Sequence, residues 1–413
     1  MGVFTCVVLF LAAVFSYYKE KNIYNPAFLF NLYWFLIIGV STLNLYNFRK
    51  IDTLVYEMVL FGTLAFNLGT AMPQIIFTGQ KRAASYVDGK LTLNTYFWMA
   101  AGFLAIVDYA ALTLIFNGSS ISDIRYTLRE SVFSSYMINL IFKFVIYPIV
   151  VAFIVHYISN VLTQRTLNGK ELARALLLTI MDYVANGDRI IIYIWVVGIL
   201  LAFMLLRREI KDTKQYRSFR KIAIVVFVLL ILIFAGRKNA AGSFVSSIVS
   251  YYVGGLIYLT RAMYRIEPEA GQTIFVASYQ GFFRPVMGVL ELLGIKWNTF
   301  EMASDFLMTN QTHSYSIDVG AQRYFNYFTT CFGYFYYDFK MIGVVIHSFV
   351  FGFLAKNAYY GFHKKETRAT GVYLFWIICI FLGMMNFAMA ETSVSLGLVY
   401  YLFCFRKRKA STV

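Results

Sequence analysis

Apolar runs near 2–18, 24–45, 53–77, 92–116, 133–158, 171–186, 190–206, 221–235, 331–355, 371–389 and 392–405 take up most of this chain. A helix needs about 20 apolar residues to cross a hydrocarbon core about 30 Å thick, and most of these runs come close to that length. A membrane barrel would show short strands alternating apolar and polar residues, and these runs do not alternate. The predicted fold is therefore all-α and polytopic, with about eleven transmembrane helices, or ten to twelve. Composition agrees. Of 413 residues 59% are hydrophobic and only 14% charged, where a soluble domain has roughly half and a quarter. Lys19 and Lys21 follow the first apolar run rather than precede it, so that run reads as a first span and not as a cleavable signal. Cys6, Cys331, Cys379 and Cys404 lie in or beside apolar segments. Their spacing suits neither a metal site nor a disulfide framework.

The net charge of +16 would suit nucleic acid in a soluble protein. Here it reads as the basic cytoplasmic loops of a membrane protein. The stretch "RREIKDTKQYRSFRK" at 207–221 sets the orientation as a cytoplasmic loop, and "FHKKETR" and the terminal "RKRK" agree with it. Working backwards, the loops with Lys19 and Lys21, with Lys81, Arg82 and Lys90, and with Arg165 and Lys170 also fall inside. The N-terminus is then outside and the C-terminus inside. Three divisions follow: N-terminal spans over 1–235, an extracytoplasmic segment over 236–330, and C-terminal spans with a basic tail over 331–413. The middle segment is far longer than an ordinary connection. Within it, 241–260 predicts an amphipathic helix. Phe244, Val245, Ile248, Val249, Tyr252, Val253, Leu256 and Ile257 form its apolar stripe, opposite Ser243, Ser246, Ser247, Ser250 and Gly254. "IEPEAG" and "FRP" read as breaks.

Ionisable groups inside spans are costly and mark pathways or sites. Under this threading Glu57, Asp108, Lys143, Asp182, Asp338 and Lys340 all lie in the outer halves of their helices, which suggests a cavity open to the outside. A transporter would spread such groups across the midplane. Two runs, 171–186 and 221–235, hold only about 15 residues, ~22 Å of helix, and each is followed on the outer side by an arginine, Arg189 in "ANGDR" and Arg237 in "AGRKN". Short helices anchored inside would draw both guanidinium groups below the outer headgroups. A guanidinium fork there suits a bidentate phosphate. Arg125, Arg129 and Arg284 lie on the same side. The outer segment offers Glu267, Glu269, Glu291, Glu301, Asp305, Asp318 and His313 as groups to accept a proton, and the sequence does not choose among them. No residue spacing points to a metal.

In "QRYFNYFTTCFGYFYYDFKMIGVVIHSFVFGF" (322–353), Asn326, Phe328 and Thr329 are similar to an Asn-x-Phe-Thr stretch. Asp338, Phe339 and Gly343 are similar to a following Tyr-x-Asp-Phe-Gly-x-x-Gly run, with Lys340 where a glycine is usual. With the two arginine turns and the long late outer segment, the chain resembles the Wzy-type oligosaccharide repeat-unit polymerases of O-antigen and capsule synthesis. The resemblance implies a membrane-embedded glycosyltransferase fold in the bacterial cytoplasmic membrane, with its active site facing outward. Donor and acceptor would be undecaprenyl-diphosphate-linked oligosaccharides. The growing chain would pass to a new lipid-linked unit and undecaprenyl diphosphate would leave. It implies no cofactor, with membrane lipid and a chain-length regulator as partners and no nucleic acid. Arg189, Arg237, Asp338 and His313 become the expected catalytic residues, and Arg125, Arg129, Arg284, Asn326 and Thr329 the expected diphosphate- or substrate-binding ones. Two rivals remain open: an O-antigen ligase-like glycosyltransferase, and a flippase for the lipid-linked unit.

Overall fold

The structure, a computed structural model, describes residues 1–43, 45–73, 86–116, 127–128, 130–164, 168–186, 190–209, 244–320, 324–326, 329–364 and 366–407. These residues are mostly helical. The helices are α1 (Gly2–Glu20), α2 (Pro26–Thr42), α3 (Thr53–Ala71), α4 (Lys90–Phe116), α5 (Tyr136–Gln164), α6 (Gly169–Ala185) and α7 (Ile190–Glu209). After them come α8 (Phe244–Glu269), α9 (Val276–Leu292), α10 (Asn298–Thr312), α11 (Thr330–His363), α12 (Thr367–Leu382) and α13 (Thr392–Phe403). Every apolar run named above coincides with a helix except 221–235, which lies outside the described residues.

Local chemistry explains several boundaries. Pro26 opens α2 behind Asn25, whose side chain accepts the Ala27 N–H at 3.1 Å. Asp52 accepts the Leu54 N–H at 3.1 Å to start α3, and Asn168 accepts from Lys170 and Glu171 to start α6. Among the described residues five helices are long and apolar enough to cross a membrane: Gly2–Glu20, Thr53–Ala71, Leu91–Ala111, Tyr136–Gln164 and Thr330–His363. Pro26–Thr42, Ile190–Ala202, Thr367–Leu382 and Thr392–Phe403 are apolar but shorter. Helix α6 has a polar first turn and belongs to neither group. On α1, Val3, Phe4, Val7, Leu11 and Phe15 are exposed, a face that suits lipid and would be costly in water.

The chain packs as two compact units. The first comprises Met1–Ile75, Leu229–Tyr360 and Trp376–Glu391. Its core joins α2, α3 and α11 through Phe30, Trp34, Phe66, Phe332 and Phe351, with Phe30 stacked on Phe66 at 4.1 Å. Helices α3 and α11 cross on two glycines. A Cβ on Gly69 would stand 2.1 Å from the Phe349 carbonyl oxygen, and one on Gly352 would stand 2.1 Å from that of Phe66. This is the close backbone approach that small residues permit between apolar helices. Asn31 on α2 donates to Asn67 on α3 at 2.9 Å and to Ser16 on α1 at 3.2 Å. Buried Lys356 pairs with the partly exposed Glu20, and lies 4.9 Å from the ring centroids of Tyr359 and Tyr360. The sequence reading collected its intramembrane charges at the outer side. This pair is an addition at the other end of α11.

The second unit comprises Ile76–Val228, Gly361–Phe375 and Thr392–Val413. Its axis is α5, buried almost continuously from Tyr147 to Ser159 and opened by a π turn over Phe142–Ile146 that carries Lys143. Strands β1 (Tyr86–Asp88) and β4 (Phe405–Lys407) pair antiparallel in this unit. In the first unit β2 (Ser314–Ser316) pairs with β3 (Tyr324–Asn326), and Phe48 bridges to Asp318. The first bring together two segments expected inside, the Phe48–Asp318 bridge two expected outside.

Helix α8 departs from the amphipathic pattern. Val253, Leu256 and Ile257 are buried as expected, but so are Ser250 and Gly254, while Tyr252 is exposed. The small-residue face packs too, because Gly255 lies against backbone: a Cβ there would be 2.2 Å from the Met384 carbonyl oxygen. The predicted break at Phe283-Arg284-Pro285 is absent, since Pro285 lies inside α9. One missing N–H does not end a helix whose next turn is anchored by buried Met287 and Gly288. Pro268 likewise sits inside α8, whose end at Glu269 is followed by Gly271 with φ 102°.

Candidate functional site

Helix α11 is broken in its N-terminal third. Phe339 (φ −145°, ψ 31°) and Lys340 (φ 53°, ψ −143°) leave helical torsions, so the chain turns between Asp338 and Met341 before the helix resumes. The torsions of Lys340 belong to glycine and are strained for any other residue, at a cost of about 1–3 kcal/mol. Three residues later a Cβ on Gly343 would stand 2.1 Å from the Phe335 carbonyl oxygen. The two halves of α11 thus close on each other where Gly343 has no side chain.

Asp338 holds this break from within. Its carboxylate is fully buried. Oδ1 accepts from Thr273 Oγ1 at 2.7 Å and the Ala277 N–H at 3.0 Å. Oδ2 accepts from Ser278 Oγ at 2.5 Å and the Ser278 N–H at 3.1 Å. Each oxygen therefore takes one backbone donor and one hydroxyl, an acceptor-only setting that suits a carboxylate. The two N–H groups belong to the first turn of α9, whose own N-cap residue, Phe275, supplies no side-chain cap. Asp338 caps α9 from another helix, opposite the positive end of its dipole. Ile274 and Phe275, leading into α9, also have positive φ (39° and 62°), so backbone strain clusters around this carboxylate. His347, also fully buried, sets Nε2 3.2 Å from Asp338 Oδ2, out of hydrogen-bond alignment, among the rings of Phe275, Tyr279 and Phe335.

Above this node lies a polar, solvent-facing layer. Glu267, near the end of α8, accepts from the Tyr336 hydroxyl on one oxygen and from Lys340 Nζ at 3.1 Å on the other. Tyr336 precedes the break and Lys340 lies in it, so α11 holds both oxygens of the carboxylate. The Tyr336 hydrogen bond, opposed by burial and aided by Lys340, holds the Glu267 carboxyl below its usual range. Glu269 accepts from Tyr337 at 3.0 Å. Arg265 donates to Asn310 Oδ1 at 2.6 Å and to the Tyr315 hydroxyl at 3.4 Å. Burial first, and then the Tyr264 hydroxyl, push Tyr315 up to about 12.

No family model, curated protein or solved structure matches the chain.

Of the residues expected from sequence, Arg125, Arg129, Arg189 and Arg237 lie outside the described residues. Asp338 is inside the node, fully buried, with two donors on each oxygen. Arg284 is half-buried on α9, the helix that Asp338 caps. Thr329 is buried just ahead of α11. Asn326 ends β3, opposite Ser314. His313 is exposed at the end of α10, with Nδ1 3.2 Å from the Thr309 carbonyl oxygen. No hydrogen bond or ion pair joins Asp338, Arg284, Thr329 and His313 to one another among the described residues. Nor do these residues contain a group of three or more His, Cys, Asp or Glu side chains placed to hold a metal ion. Sequence reasoning missed Thr273, Ser278, Tyr336 and His347. Only His347 left a signal, an ionisable ring inside an apolar run.

Proposed function

We propose that the chain is a polytopic protein of about eleven spans that polymerises lipid-linked oligosaccharide repeat units on the outer face of the bacterial cytoplasmic membrane. The growing chain leaves its undecaprenyl diphosphate for a hydroxyl of a new lipid-linked unit. The acceptor oxygen attacks the anomeric carbon, the bond to the diphosphate breaks with its electron pair, and the hydroxyl proton passes to a base. Arg189 and Arg237 are the groups proposed to hold the diphosphate as its charge grows.

One observation carries this reading. Three positions of the motif that resembles the polymerase family, Asp338, Lys340 and Gly343, have a physical reason in the fold. Asp338 caps α9 across the break, and Gly343 allows the close approach to Phe335. Lys340, the one departure from the pattern, keeps glycine torsions. A backbone that asks for glycine accounts for glycine being usual there.

The test is the surface glycan of a strain lacking this gene. Single repeat units on the lipid anchor support the proposal. Lipid-linked polymer that is never transferred points to a ligase instead, and repeat units trapped on the cytoplasmic side point to a flippase.

A further inference from the structure

Lys340 presents a puzzle of cost. Its backbone asks for glycine, and lysine there is strained. Among the described residues its side chain, 51% exposed, has Glu267, itself 45% exposed, as its hydrogen-bond and ion-pair partner. An ion pair that open to water does little to offset the strain. Strained side chains that stability does not explain cluster at functional sites. Glu267 is equally unusual, a carboxylate held on both oxygens by residues of one helix at a break.

We propose that Lys340 and Glu267 form a cation–carboxylate exchange at the break in α11: Lys340 leaves Glu267 for a diphosphate oxygen of the lipid-linked donor, and Glu267 then takes the proton of the acceptor hydroxyl. In the resting protein the lysine partner suppresses the basicity of the carboxylate. When the diphosphate arrives, Lys340 turns its ammonium to the larger charge. Glu267 keeps the Tyr336 hydroxyl on one oxygen and frees the other for the acceptor. The step balances. The acceptor O–H proton ends on Glu267, the acceptor oxygen bonds to the anomeric carbon, and the electron pair of the broken bond leaves on the diphosphate. Lys340 stays protonated throughout. Base strength thus rises only when a donor is bound. Among the outer acids that the sequence left undecided, this chooses Glu267.

The inference rests on the polymerase reading for its substrate, and its test separates the two. Lys340→Gly removes the cation and relieves the backbone, so the variant is expected to accumulate and to unfold no more easily than wild type. Loss of function in it therefore reads chemistry and not folding. Binding of undecaprenyl diphosphate to the purified full chain in detergent should weaken at least tenfold in Lys340→Gly, recover partly in Lys340→Arg, and stay within threefold of wild type in Glu267→Gln. Polymer formation in the gene-deleted strain should fall at least a hundredfold with either Glu267→Gln or Lys340→Gly. Wild-type polymer from both variants overturns the exchange while leaving the polymerase reading intact. Diphosphate binding that depends on Lys340, in a strain whose glycan does not change on deletion, overturns the polymerase reading and leaves the anion site standing. Equal binding by wild type and Lys340→Gly overturns the role of the lysine.

Discussion

Replacing Asp338 by asparagine keeps the size of the side chain and removes one acceptor. The present carboxylate takes a backbone N–H and a hydroxyl on each oxygen. In the variant the amide NH2 must replace one of those oxygens. The hydroxyl it meets, of Thr273 or Ser278, rotates and accepts from the amide. The backbone N–H, of Ala277 or Ser278, has no such freedom. Whichever way the amide turns, one buried N–H loses its acceptor, at about 1–3 kcal/mol. The charge opposite the N-terminus of α9 is lost as well, at ~0.3–2 kcal/mol. The expected loss is thus about 1–5 kcal/mol, combining the two terms. Glu301 provides the comparison, a carboxylate in the first turn of α10 that is exposed, so Glu301→Gln should cost well under ~1 kcal/mol. Equilibrium unfolding of both variants in the same detergent measures the difference. An Asp338→Asn protein as stable as Glu301→Gln would refute the claim that this carboxylate organises the break.

Other consequences are equally open to measurement. Gly343→Ala places a Cβ against the Phe335 carbonyl oxygen, which cannot move without moving the helix. It should cost at least ~1–3 kcal/mol, read as a lower unfolding midpoint or as loss of the protein from membranes. Removing the carboxylate partner of buried Lys356 with Glu20→Gln should cost about 3–5 kcal/mol, and Glu20→Gln with Lys356→Met together should restore most of it; a double variant as unstable as the single would contradict this. Glu267 has its carboxyl held low in the folded protein. Its contribution is therefore present above the ordinary carboxylate range and lost as pH falls through the depressed value. Wild type should lose stability relative to Glu267→Gln on acidification below about pH 4, and parallel pH profiles would show that the carboxylate is not held.

The apolar runs were legible because about 20 residues of apolar helix have one common use. Their helices appear where the runs are, trimmed by caps such as Asn25 and Asp52. The Asp338–Gly343 motif could be marked as a unit, but what it does could not. The partners of Asp338 lie 60 to 65 residues away, and no periodicity links Thr273 to a carboxylate in another helix. Lys340 looked like a departure from the pattern, because a residue type does not report its torsions. The expected break at Pro285 failed for a related reason: one missing N–H yields to tertiary packing. The stripe on α8 was misread because glycine and serine, polar by type, serve helix crossings by being small. Glu20 and Lys356 lie 336 residues apart, and no local pattern links them.

Sidedness decides more than any other single fact, since both the proposed reaction and the exchange at Lys340 need the break in α11 to open outward. Three native cysteines are buried and Cys6 is partly so, which leaves introduced cysteines readable. Single cysteines at Glu269 and His313, both exposed near or within the polar layer, should react with a membrane-impermeant maleimide in intact cells. One at Lys364, beyond the other end of α11, should react only after the membrane is opened. Labelling of position 364 from outside, with 269 and 313 protected until permeabilisation, would contradict the account.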